Sequence, residues 1–212
     1  MNHWLEKSKE NLLPLSVASS FGEALKEWFF TGVVFDRGDE DIFCELCEHP
    51  DLASHFEIKN RHKHNILLVG SSCILRFQDI EILDKAGVAI TDDNERKSAL
   101  DKALRDKIIE SSLESLRDLW RSDIQNRRKI AELGIAVKNG EALHPEDLLF
   151  LFDRMNQLNV EYLATRYKIS LRSDNAKYQL AGMSDSEIKK IWPALSNQQK
   201  AKAREVNKRI VY

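Results

Sequence analysis

Residues 44–77 read CELCEHPDLASHFEIKNRHKHNILLVGSSCILRF, and they hold all three cysteines of the chain together with four of its six histidines. Cys44 and Cys47 stand two residues apart, the spacing with which one tight turn presents two thiolates to a single metal ion. Cys73 brings a third thiolate from distant chain. An odd number of cysteines fits metal ligation better than a disulfide framework. The plain alternative is three buried, inert cysteines, because free Cys behaves as a small hydrophobe.

The residues between the cysteines alternate. From Ser54 to Asn60, Phe56 and Ile58 fall on one side and His55, Glu57 and Lys59 on the other, as a half-buried strand requires. Asn60 to Asn65 is a polar turn and Ile66 to Val69 the returning strand, so a hairpin is predicted. Gly70-Ser71-Ser72 then opens a helix through Ile74, Leu75 and Phe77, with Cys73 in its first turn, where the helix dipole favours thiolate over thiol. Parity makes His55 the first choice for a fourth ligand, since it points away from the apolar side. His49, His62 and His64 remain as alternatives. The ion these donors suit is zinc in a structural role, held by Cys44, Cys47, His55 and Cys73.

Knuckle, hairpin and helix-borne cysteine in that order resemble a treble-clef zinc finger. The string Cys44-x-Leu46-Cys47, His55-Phe56-x-Ile58-x-Asn60, Val69-Gly70-Ser71-x-Cys73-Ile74 is similar to a motif of poorly characterised bacterial and phage or mobile-element proteins. The resemblance covers about 30 residues. Many treble clefs place two ligands one turn apart on the helix, whereas here Arg76 and Phe77 follow Cys73. The resemblance therefore implies a ligand from elsewhere.

Outward from this stretch, Ser20-Phe21-Gly22-Glu23 reads as a capping box ahead of a helix whose stripe is Phe21, Leu25, Trp28 and Phe29, stopped by Gly32. Val33 to Phe35 suits a short strand. After Asp92 the pattern is helical. A long stripe runs from Leu100 through Leu104, Ile108, Leu113, Leu116 and Trp120 to Ile124, with a break expected at a second box, Ser122 to Gln125, and an end at Gly140. Pro145 opens another helix, Tyr167 to Leu171 is ambiguous, and boxes at Ser184–Glu187 and Ser196–Gln199 announce two closing helices. The expected fold class is α+β, with a zinc-stapled hairpin and helix module over residues 15–90 and a mainly helical region over 92–212.

The chain has 212 residues, 42% of them hydrophobic, enough to bury a core. Nothing near Met1 resembles a signal peptide, and no apolar run approaches the roughly 18 residues of a membrane span, so a soluble, cytoplasmic protein is expected. The net charge of −2 conceals acid between Asp36 and Glu57 and base at the C-terminus.

Three function classes follow. The first is non-catalytic nucleic-acid association, DNA or RNA, through Lys59, Arg61 and Lys63 at the hairpin tip and Lys200, Lys202, Arg204 and Lys208 near the C-terminus. The second is a protein adaptor that uses the long amphipathic helices. The third, a beta-beta-alpha-metal nuclease, needs a second metal-holding His or Asn on the helix after Cys73, and none is there. Phosphate-cradling glycine loops and the Pro-Cys-x-x-Cys element of zinc deaminases are also absent.

Overall fold

The computed structural model describes residues 3–36 and 42–207. The fold is mixed α+β: one small antiparallel sheet, with the C-terminal part mostly helical. Two compact units divide the chain, residues 1–107 and 108–212. The division lies inside a long helix and not near Thr91, because that helix carries an unbroken apolar stripe past the change of structural class.

In the first unit, α1 (His3–Leu12) and α2 (Phe21–Leu25) precede strands β1 (Trp28–Asp36), β2 (Ser54–Asn60) and β3 (Ile66–Val69), then α3 (Ser71–Arg76). The sheet order is β1-β2-β3, antiparallel throughout. The hairpin and α3 lie where alternation and the Gly-Ser-Ser signal predict them. The helix expected to run through Trp28 and Phe29 does not: α2 ends at Leu25 and the chain is extended from Trp28. Aromatic and β-branched residues dominate Trp28 to Phe35, and pairing with β2 satisfies their backbone groups. Trp28 and Phe30 are both buried and Phe29 less so, a period of two that the spacing of Leu25, Trp28 and Phe29 disguised. Gly32, with φ of +86°, sits in a bulge where Thr31 to Val33 face only Glu57, and does not stop a helix. Ser20 still caps α2, accepting from the Glu23 amide.

The core of this unit gathers Leu12, Trp28, Ile58, Ile74, Ile80 and Ile82. Within it, Trp28 Nε1 donates to Ser16 Oγ at 2.9 Å, and the buried Glu27 carboxylate accepts from the Val17 and Ala18 amides and from Asn60 Nδ2.

The second unit begins within α4 (Asp93–Ser122) and continues through α5 (Arg127–Lys138), α6 (Pro145–Gln157), α7 (Asp174–Gly182), α8 (Asp185–Ile191) and α9 (Asn197–Val206). Its core joins Leu148, Leu151, Phe152 and Met155 of α6 with Leu180, Ile188 and Ile191. Both closing boxes form, with reciprocal bonds between Ser184 and Glu187 and between Ser196 and Gln199. The break after α4 falls where expected, yet no box makes it. Buried Asp123 instead accepts from Arg154 Nε at 2.5 Å and from Asn126 Nδ2 at 2.9 Å. Residues 167–171 contribute a single parallel bridge, Leu143 to Ile169. Among the described residues, no helix is long and apolar enough to cross a membrane.

Candidate metal centre

Local structure aims three sulfurs at one point. The knuckle closes with Cys44 N–H donating to the His49 carbonyl at 2.9 Å and Glu48 N–H to the Cys44 carbonyl at 2.7 Å, Glu48 taking a positive φ of 58°. It is pinned to β3, since Glu45 N–H donates to the Leu68 carbonyl and the Glu45 carboxylate accepts from the Leu68 amide at 2.6 Å. From α1, Asn11 Nδ2 reaches the Leu46 carbonyl at 3.2 Å. Cys73 arrives on α3, whose N-cap Gly70 donates its amide to Cys44 Sγ at 3.4 Å. A Cβ at Gly70 would stand only 3.3 Å from a Leu52 methyl, so the close approach of the strand end to Leu52 suits glycine.

Cys44 Sγ lies 3.7 Å from Cys73 Sγ, and Cys73 Sγ 3.3 Å from Cys47 Sγ. All three sulfurs fall within 4.8 Å of one another and all three residues are buried. A disulfide would place two of them about 2.05 Å apart. Tetrahedral zinc with Zn–S of about 2.3 Å places sulfurs about 3.8 Å apart. Three close cysteines of this kind could hold a metal ion.

The electrostatics divide the cluster. The hydrogen bond from Cys73, aided by the amides of Gly70, Cys47 and Leu46, outweighs burial and brings the Cys44 thiol down to about 5. The bond that Cys73 donates to Cys44 pushes its own thiol up, and burial pushes up Cys47. The hydrogen bonds within the cluster thus favour the thiolate form at Cys44 over Cys47 and Cys73.

His55 is not among the sulfurs. Its Nε2 lies 2.7 Å from the Phe43 carbonyl oxygen, and the residue is 7% exposed. The parity of β2 is as expected. The knuckle lies on the other face from the one inferred, for Ser54 and Phe56 line the pocket shared by the three cysteines. His55 thus supports the residue before Cys44 from outside. Of the alternatives, His49 lines that pocket, whereas His62 and His64 are exposed in the hairpin turn.

The basic candidates are scattered in their engagements. Lys59 is half-buried, Arg61 pairs with Glu81 at 2.6 Å, and Lys63 Nζ reaches the Pro14 carbonyl at 3.4 Å. In the second unit Lys202 pairs with Glu205 at 3.4 Å, while Lys200 and Arg204 lie over the Trp192 ring at 5.7 and 5.3 Å. Lys208 lies outside the described residues. Asn60 at the end of β2 is fully buried. Its Oδ1 accepts from the His62 and Lys63 amides and its Nδ2 donates to Glu27.

Sequence reasoning gave no role to Trp4 and Arg76, which also line the sulfur pocket. Trp4 comes from a helix with a weak sequence signal, and Arg76 was visible only as the residue standing where a second helix-borne ligand would be.

No protein-family model, curated protein or solved structure matches the chain.

Proposed function

We propose that Cys44, Cys47 and Cys73 bind Zn²⁺ as a structural ion, and that the treble-clef-like module so stapled serves a non-catalytic, nucleic-acid-associated protein. The observation that carries the metal reading is the pair of sulfur separations, 3.7 and 3.3 Å, close to the edge of a zinc-thiolate tetrahedron. The buried amides directed at Cys44 support it, since they favour thiolate over thiol. Zinc would cross-link the knuckle to α3 and supply stability that three short strands lack. The test is the zinc content of the full chain purified without added metal. One ion per chain is expected, and metal-free protein with reduced cysteines would contradict the reading.

Nucleic-acid association rests on α9, where Lys200, Lys202 and Arg204 stand against Glu205 and two of the three cations border an aromatic ring. Such a face would hold phosphates without reading sequence. A second reading, a protein-binding adaptor, has its own support. Leu113, Leu116, Trp120 and Ile130 line an open groove of about 280 Å³, and Ile124 and Ile135 are exposed elsewhere in the same unit.

A further inference from the structure

The three sulfurs form one wall of a pocket of about 390 Å³. Their protein side is taken by amides, those of Gly70, Cys47 and Leu46 directed at Cys44 and that of His49 at Cys47. No other His, Cys, Asp or Glu ligand atom among the described residues joins the group. An ion held here, as the zinc reading requires, would have a fourth position left for a ligand from the pocket. Three protein ligands with one open position is the arrangement that admits an exogenous ligand.

The rest of the wall says what that ligand is. Trp4, Phe56 and Leu104 are apolar, Ser71 and Ser72 offer hydroxyls, His49 an imidazole outside the sulfur group, and Arg76 a cation. The Arg76 guanidinium lies 4.0 Å above the Trp4 ring and pairs with no carboxylate among the described residues. Three-cysteine zinc sites are completed by a fourth cysteine sulfur or by an imidazole, and a thiol supplies the first of these. A guanidinium in the same wall favours a carboxylate on the ligand's other end. A volume of this size takes a small organic molecule.

We propose that the pocket binds a small thiol bearing a carboxylate, whose sulfur takes the metal's fourth position and whose carboxylate meets Arg76. On binding, the thiol would give its S–H proton to solvent and its sulfur would take the position left to an exogenous ligand.

The test uses the full chain loaded with Co²⁺, whose thiolate charge-transfer and d–d bands report the ligand set. Titration with 3-mercaptopropionate should raise the charge-transfer band saturably, at a concentration about tenfold lower than 2-mercaptoethanol, the scale of one charged hydrogen bond. Propionate should change nothing. Arg76→Gln should erase the preference between the two thiols while cobalt stays bound, and Arg76→Lys should retain part of it. Equal response to both thiols, or no response to either, overturns the proposal. So does a spectrum that ignores thiols but changes in His49→Ala, since His49 would then close the site. Absence of thiolate-to-cobalt bands before any thiol is added overturns the metal reading itself.

Discussion

His55 Nε2 and the Phe43 carbonyl oxygen are 2.7 Å apart, and Phe43 immediately precedes Cys44. A carbonyl only accepts, so Nε2 carries the hydrogen, and the bond ties the middle strand of the sheet to the entrance of the knuckle. The ring's other nitrogen, Nδ1, is buried without a partner. His55 therefore holds the frame of the three-cysteine cluster and does not join it.

Replacing His55 with Ala should leave one zinc per chain and lower stability by about 0.5–1.5 kcal/mol, the net worth of one hydrogen bond. Metal analysis alongside thermal melting checks this. Loss of zinc with an unchanged melt would instead make His55 a ligand.

Cys73→Ser should remove stoichiometric zinc and loosen residues 1–107 while the helices of the second unit keep their hydrogen-exchange protection. Chelation of the wild-type protein should do the same. Uniform loss of protection across both units would contradict it.

Zinc uptake at pH 7 should release about two protons, from Cys47 and Cys73, because Cys44 is already thiolate above its depressed value of about 5. Affinity should weaken as pH falls, since protons compete for the sulfurs. Calorimetry in buffers of different ionisation enthalpy counts the protons, and zero release at pH 7 would contradict the assignment.

Glu27 should give the first unit its sensitivity to acid. Burial pushes its carboxyl up, but the bonds from Asn60, Val17 and Ala18 prevail and hold it below the usual carboxylate range. A depressed folded-state value contributes stability above the unfolded value of about 4.5, lost as pH falls through the folded one. Glu27→Gln should cost about 1.5–3 kcal/mol at pH 7 and flatten the acid limb of the stability curve. A variant melting like wild type at pH 7 would show the network to be unimportant.

Salt-sensitive binding to DNA or RNA should weaken when Lys200, Lys202 and Arg204 are changed together to Glu. A low-salt gel-shift series with no binding to either polymer would leave the adaptor reading in place.

How far the sequence carries this account depends on how local each signal is. The hairpin from Ser54 to Val69 and the start of α3 are legible because alternation and the Gly-Ser-Ser signal are properties of neighbouring residues. Trp28 and Phe29 misled because a three-to-four spacing after Leu25 fits a helix as well as a strand, and only pairing with β2 decides. For His55, the strand's parity is readable, but the face that the knuckle covers is set by contacts such as Glu45 with Leu68, remote in sequence. The division after Lys107 is illegible for a similar reason: the α4 stripe is continuous while its packing partners change.

The most direct measurement is X-ray absorption at the zinc edge of the full chain. The account predicts a shell of at least three sulfurs at about 2.3 Å. A shell of only nitrogen and oxygen near 2.0 Å would contradict it, because the ion would then sit away from Cys44, Cys47 and Cys73.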